Sequence, residues 1–370
     1  MAADSRSPPL SGPVRVLHLR VPKFGLRATL VIDSLACGPA IGGLRIAPDV
    51  TLRECLRLAR AMTLKNAAAG LPHGGAKAVI AADPGMPAVD KEALLRAFAH
   101  AIGHERDYIA GPDMGSDETC MGWIHDEIGR AVGRPAALGG IPLDELGATG
   151  WGLAHAAEAA APFAALSLKG ARVAIQGFGA VGRHAAVFLA ERGAVLVGAA
   201  DSRGALVDPA GLDVAALARL KADGGALHDH PGGVRRPASA LLDLDCDIWI
   251  PAARPDAIAL ADAPRLRARL VLPGANIPMS VATERALAAR GVLVVPDFIA
   301  NAGGVICASM EHAGATAGAA FQAIGQKVAA NVSAVLEAAR RDACLPREAA
   351  IALAIDRLAR AMRVRRFGAA

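Results

Sequence analysis

Aromatic residues are scarce in this 370-residue chain, which holds one tyrosine, three tryptophans and eight phenylalanines. Little is left on which nucleobases could stack. The basic residues are not massed either: 40 lysines and arginines stand against 35 acidic residues, a net charge of +5, and the arginines are spread along helical segments without forming a stripe. Nucleic acid is therefore not expected as a partner. No stretch of about 18 apolar residues runs free of charges, prolines and turn glycines, so no membrane span is expected. The six cysteines, Cys37, Cys55, Cys120, Cys246, Cys307 and Cys344, contain no C-x-x-C pair. That argues against a zinc site or a disulfide framework and for reduced, mostly buried thiols, with no metal. The first dozen residues, MAADSRSPPLSG, lack the charged-then-apolar layout of a secretory signal and read as a loose tail on a cytoplasmic protein.

What is present is enough apolar material for two cores: 53% of the residues are hydrophobic, and the length fits two domains. Residues 13 to about 35 alternate and include ATLVI (Ala28 to Ile32), which predicts strands. Thr51 opens T-L-R-E, the capping-box spacing, before a helix with Leu52, Cys55, Leu56, Ala59 and Met62 on one face, ending at Gly70. A glycine-rich turn, LPHGGAK, then precedes a strand over Ala78 to Ala81. A helix follows over residues 90 to 106, and YIAGPD (Tyr108 to Asp113) leaves it as an extended segment. Beyond Gly147 the pattern changes to short strands alternating with helices: Arg172 to Gln176, Ala194 to Ala200, Asp247 to Pro251, Arg269 to Leu272 and Val292 to Val295. Such alternation predicts a parallel, doubly wound sheet.

The first of those strands runs into Gly177, Phe178, Gly179, Ala180, Val181 and Gly182, and then into a helix. This is G-x-G-x-x-G in its required setting: one glycine for the tight turn, one for close approach of a pyrophosphate, one for helix-to-strand packing. The helix N-terminus adds free amide groups for the phosphates. Asp201 ends the next strand, 19 residues beyond Gly182, near the spacing at which an acid binds the adenosine ribose 2′-hydroxyl. The expected cofactor is NAD. NADP stays open, because Asp201 would repel a 2′-phosphate while Arg203 could bind one.

Two lysines stand in MTLKNAAAGLPHGGAK among small and apolar neighbours. A lysine is ordinarily a solvated surface residue, but burial makes an amine give up its proton more easily. One such lysine can act as a base, and another that keeps its charge can hold a carboxylate. Lys65 and Lys77 are these candidates, with Asp113 of AGPDMG as their partner, although an aspartate after proline is also an ordinary turn former. His73 has no partner visible in the sequence and is given no role.

GPAIGGLR (Gly38 to Arg45), MTLKNAAAGLPHGGAK (Met62 to Lys77), GPDMG (Gly111 to Gly115), ATGWG (Ala148 to Gly152), QGFGAVG (Gln176 to Gly182), GAN (Gly274 to Asn276) and PDFIANAGGV (Pro296 to Val305) occur in order. In these motifs, over nearly its whole length, the chain resembles the glutamate/leucine/phenylalanine/valine dehydrogenase family. The resemblance implies reversible oxidative deamination of an L-amino acid to a 2-oxo acid and ammonia. Lys77 looks like the catalytic lysine that activates water, and Asp113 like the aspartate that moves protons to and from the amino group. Lys65 matches the lysine that binds the α-carboxylate, and the Gly75 carbonyl would help hold the amino group. Thr149, Asn276 and Asn301 match cofactor-side residues, Thr149 and Asn301 near the nicotinamide.

The implied fold is α/β: an N-terminal substrate and oligomerisation domain over 13–147, a Rossmann-type dinucleotide-binding domain over 148–335, and C-terminal helices over 336–370 packing back on the first domain. Family members act in a cleft between domains, and a homo-oligomer is expected. Members acting on glutamate carry a lysine just before the first GG and a serine three residues after the valine of NAGGV. Those positions are Ile41 and Ala308 here. An unpaired carboxylate against two apolar groups would cost on the order of several kcal/mol, so an apolar leucine-, valine- or phenylalanine-type substrate is favoured. Glutamate is the alternative, since DMGS, DSRG and GAN look more like the glutamate enzymes. A non-catalytic nucleotide-binding regulator is the reading of another class.

Overall fold

The computed structural model describes residues 12–364; the tail expected over the first dozen residues lies outside them but for Gly12. The chain divides into two compact units. The first takes the chain up to Leu143, Val305–Ala320 and the chain from Ile351 on; the second takes Asp144–Gly304 and Phe321–Ala350. The sequence-based division returned to the first domain once, at residue 336. In the structure the return is made twice, and the short excursion at 305–320 carries no change of composition that would mark it.

In the first unit β1 (Arg15–Val21), β2 (Leu26–Ser34), β3 (Ala40–Ala47), α1 (Leu52–Ala68), β4 (Gly74–Ala81), α2 (Ala88–Ala101), β5 (Tyr108–Pro112) and α3 (Glu118–Ile128) follow one another. The sheet order is β1-β2-β4-β3-β5. β2 pairs antiparallel with β1 and β4, while β3 lies parallel between β4 and β5. The alternating apolar positions of the strands face α2 and α3, and Leu30, Ile32, Leu44, Ile80, Leu95, Phe98 and Tyr108 build one core. Each such side chain contributes about 1.5–3 kcal/mol on burial. α1 begins where the capping-box spacing placed it, with the Thr51 hydroxyl accepting the Glu54 amide at 3.1 Å.

Two expectations in this unit need correction. Of the segment read as a glycine-rich turn, Gly74 to Lys77 belong to strand β4, so Lys77 sits on a strand. A Cβ on Gly74 would lie 1.8 Å from the Ser34 oxygen and one on Gly75 2.1 Å from the Thr63 nitrogen; these glycines are there for close backbone approach, not for turning. The helix expected over 90–106 starts at Ala88 and ends at Ala101.

The second unit contains α4 (Ala148–Ala160), β6 (Arg172–Gln176), α5 (Ala180–Ala190), β7 (Val195–Asp201), β8 (Gly204–Val207), α6 (Val214–Ala222), β9 (Val234–Arg236), β10 (Ile248–Pro251), β11 (Leu270–Val271), α7 (Val281–Ala289), β12 (Leu293–Val294) and α8 (Asp297–Ala300). Three helices end the described residues: α9 (Gly303–His312), α10 (Ala317–Arg341) and α11 (Pro346–Val364). The seven-stranded sheet runs β12-β11-β10-β6-β7-β8-β9. All five expected strands are present and parallel, forming the doubly wound α/β half. The edge is not parallel: β7 turns back into β8 at Asp201 and Gly204, and β9 pairs antiparallel beyond it. Trp249, Val271, Leu287 and Met279 are buried on one side of this sheet.

None of the six cysteines is disulfide-bonded, and burial pushes the Cys55, Cys120 and Cys246 thiols up to about 12. Among the described residues no helix is long and apolar enough to cross a membrane, and no group of three or more His, Cys, Asp or Glu could hold a metal ion.

Candidate active site

Lys77 and Asp113 come from strands that are not neighbours. Lys77 is on β4, Asp113 follows β5, and β3 lies between them. What lets them meet is Gly43 on β3, where a Cβ would fall 2.9 Å from Asp113 Cβ and 3.0 Å from Lys77 Nζ. Across that gap Lys77 Nζ lies 2.6 Å from Asp113 Oδ2, with the lysine side chain only 4% exposed. A second cation joins them: Arg45 Nε donates to the same Oδ2 at 3.0 Å, and its other arm holds Glu54. Burial alone would push the Asp113 carboxyl up, but the charges of Lys77 and Arg45 and their hydrogen bonds outweigh it and hold it below the usual carboxylate range.

Lys65 is buried in the last turn of α1. Two residues earlier, Thr63 packs on Gly75 and donates its hydroxyl to the buried Asp33 at 2.6 Å, where Arg60 also binds. The next residue, Asn66, donates to the carbonyls of Gly74 and Ile41 at 2.6 and 3.3 Å. α1 is thereby fastened to both β3 and β4 at the level of Ile41 and Gly75, which face each other in the ladder. Ile41 is 3% exposed and Ala308, on α9, is 5% exposed. His73, to which the sequence assigned nothing, is buried, with Nδ1 3.1 Å from the Pro39 oxygen and its ring 5.5 Å from that of His312.

In the second unit the glycine loop has the expected form. Gly177 is left-handed at φ 97°, a Cβ on Gly182 would lie 1.9 Å from the Gly177 oxygen, and Gly179 faces open space. No side chain caps the start of α5. Phe178 is buried, whereas Ala180 and Val181 form the first exposed-to-half-buried turn of that helix. Asn301 Nδ2 donates to Asn276 Oδ1 at 3.1 Å and lies within 3.3 Å of the Gly274 and Ala275 oxygens, while its own Oδ1 is buried with no partner. Thr149 lies against Gly303, where a Cβ would come 3.1 Å from its Cα.

Asp201 ends β7 where an acid was expected, yet its carboxylate is turned into the protein. Oδ1 accepts the Arg203 amide at 2.9 Å; Oδ2 accepts the Leu227 amide at 2.9 Å and Lys221 Nζ at 3.2 Å; the side chain is 7% exposed. Burial raises its pKa, but those amides and Lys221 prevail, so it too is held below the usual range.

Four residues of this framework escaped the sequence reading: Gly43, Arg45, Asn66 and Lys221. The first three lie inside quoted motifs. A buried strand bearing a paired glycine and an arginine was the available signal.

This arrangement defines a class, a two-part α/β oxidoreductase with a lysine–carboxylate site in one unit and a dinucleotide-type loop in the other. The comparisons with known proteins agree. The model described as Glutamate/Leucine/Phenylalanine/Valine dehydrogenase matches residues 139–366, and the dimerisation-domain model of the same family matches 13–130. A glutamate dehydrogenase of Aeropyrum pernix is 35% identical over 96% of this chain and 92% of its own length. An NADP-specific glutamate dehydrogenase of Saccharolobus shibatae is 34% identical over 96% and 90%. The Leu-bound hetero-hexameric glutamate dehydrogenase of Thermus thermophilus superposes with a TM-score of 0.88 at 33% identity, covering 97% of this chain and 91% of that one. The chain belongs to the Glutamate/Leucine/Phenylalanine/Valine dehydrogenase family and is an amino-acid dehydrogenase, an oxidoreductase acting on the CH–NH2 group of its donor.

Proposed function

We propose that the chain catalyses the reversible, NAD(P)-dependent oxidative deamination of an L-amino acid, with glutamate as the substrate its relatives favour. The observation that carries the chemistry is the buried contact of Lys77 with Asp113 over Gly43. In the balanced reaction, amino acid, oxidised nucleotide and water give 2-oxo acid, ammonium, reduced nucleotide and a proton.

The second unit fits a dinucleotide: the space before Gly179, the uncapped start of α5 and the orphaned Asn301 Oδ1 are groups awaiting partners. A dinucleotide held by the 177–182 loop and Asn301 would supply the acceptor for the hydride leaving the substrate Cα. The chain's own residues do the rest. Lys65 pairs with the α-carboxylate. Asp113, ionised beside two cations, receives the substrate ammonium and takes one proton from it, which it later returns to the departing amino group. That ammonium competes with Lys77 for Oδ2; the displaced lysine gives its own proton to solvent and, as the neutral amine, orients a water against the imino carbon and takes up one proton from it.

Both nucleotides are accepted in this reading. Asp201, buried and paired with Lys221, presents little negative charge to a ribose 2′-phosphate, and the Saccharolobus shibatae relative is NADP-specific by name. We place the enzyme in the cytoplasm as a homo-oligomer, in line with the dimerisation-domain match.

A second substrate reading rests on Ile41. Glutamate requires that some cation other than residue 41 meet its side-chain carboxylate, whereas an aliphatic or aromatic side chain needs none. Rates of nucleotide reduction with glutamate, leucine and phenylalanine, each with NAD and NADP, separate the two. No reduction with any amino acid would leave only the non-catalytic regulator, as would a Lys77→Ala chain whose function is unchanged.

A further inference from the structure

The last turn of α9 carries two residues that the chemistry above does not use. Glu311 has a side chain only 1% exposed, and its carboxylate accepts the Gly133 amide at 2.7 Å and Arg134 Nε at 2.8 Å. An ionised carboxylate so deeply buried is costly unless it is fully paired, and removing one partner of such a pair is strongly destabilising. Here half of the pairing is with backbone, and that backbone lies against the site. Gly133 is left-handed at φ 69°, and a Cβ there would come 2.7 Å from Pro112 Cδ. It therefore rests directly on the residue before Asp113. One residue earlier, the Val132 amide donates to the Ala110 oxygen at 2.8 Å, so the segment is laced along the end of β5.

The next residue, His312, meets His73 edge-on, and His73 in turn reaches the Pro39 oxygen. Pro39 and His73 immediately precede β3 and β4. One helical turn back from Glu311 is Ala308. The end of α9 thus touches His73, which leads into β4, and Gly133, which rests on the end of β5 before Asp113; through His73 it reaches Pro39, which leads into β3.

We infer that Glu311 is a positioning residue: by holding Gly133 and Arg134 it fixes Pro112, and with it Asp113, relative to the helix that carries Ala308. The proton-handling carboxylate and the side-chain end of the substrate pocket then keep one mutual geometry. This rests on the reading of Asp113 and Ala308 given above.

The test uses the full chain and two variants. Glu311→Asp keeps the charge beside Arg134 but is one methylene short of reaching Gly133 as well. The double variant Glu311→Gln with Arg134→Gln keeps an acceptor for the Gly133 amide and buries no charge. Melting temperature, nucleotide dissociation constant, and kcat and KM for glutamate and leucine are measured for each. Glu311→Asp is expected to fold and to bind nucleotide as the unaltered chain does. Its kcat should fall on the order of tenfold to a hundredfold, as for a displacement of about 1 Å, and its preference between the two amino acids should change. The double variant should regain most of the lost kcat. An active unaltered chain whose Glu311→Asp form keeps the same kcat and preference overturns this inference alone. So does a loss in both variants that merely follows the folded fraction. An unaltered chain inactive with every amino acid overturns the functional reading and this inference with it.

Discussion

Replacing Gly43 by alanine separates the roles of fold and site most sharply. The added methyl carbon would fall 2.9 Å from Asp113 Cβ, 3.0 Å from Lys77 Nζ and 3.1 Å from the Pro112 oxygen. Gly43 is not among the positive-φ glycines, so alanine brings no backbone strain, only crowding. The two strands on either side are fixed by their ladders, and the group most easily moved is the lysine ammonium at the end of a flexible stem. Asp113 Cβ and the Pro112 oxygen yield only if their backbone shifts, so the stability cost should fall within the roughly 1–3 kcal/mol typical of overpacking. The functional cost is separate. A displacement of about 1 Å from the present 2.6 Å contact is worth about a hundredfold in rate, or roughly 2.7 kcal/mol at about 1.4 kcal/mol per tenfold. Formation of reduced nucleotide at saturating amino acid, measured beside melting temperature and nucleotide binding, reads both. A Gly43→Ala chain that melts lower, binds nucleotide normally and has lost most of its kcat is the expected result. One with unaltered kcat would show that the Lys77–Asp113 contact is not the working arrangement.

Three further outcomes are expected. Arg45→Gln removes one of the two cations holding the Asp113 pKa down; a depressed carboxylate is lost as pH falls through its folded pKa, so the acid limb of the kcat/KM profile should move to higher pH, and an unmoved limb would exclude Asp113 from it. NAD and NADP should bind with dissociation constants within about tenfold of each other, some 1.4 kcal/mol, and Lys221→Met, which leaves Asp201 uncompensated, should weaken NADP relative to NAD in titration calorimetry; strong exclusion of NADP by the unaltered chain would refute the reading of Asp201. Ile41→Lys should raise kcat/KM for glutamate relative to leucine, and no change in that ratio would remove residue 41 from the side-chain pocket.

The doubly wound half was legible because its central strands are buried on both faces and so read as short apolar runs between glycine and helix signals. Its antiparallel edge was not. β9, three residues long, is fully exposed, so no apolar pattern marks it, and β8, though apolar and buried, is only four residues long. In the first unit α1 was legible from its cap, whereas β3 was hidden by its two glycines, which ordinarily weaken a strand. Their reason is visible only in three dimensions: a Cβ on Gly42 would lie 1.9 Å from the Ala76 oxygen, and Gly43 vacates the space that Lys77 and Asp113 fill.

The same distinction governs the site. Lys65, Lys77 and Asp113 were legible one by one, because charges set among small and apolar residues ask for a reason. Their partners were not, since partnership is a long-range fact: Arg45 meets Asp113 across 68 residues of chain, and Leu227 meets Asp201 across 26. Spacing alone placed Asp201 correctly at the end of β7, but what an acid does there depends on whether its charge faces the ligand or the protein. With two backbone amides and Lys221 already bound to it, Asp201 has few acceptor positions left for a ribose hydroxyl, and the proposal that both nucleotides bind rests on that pairing and on the exposed Arg203 beside it.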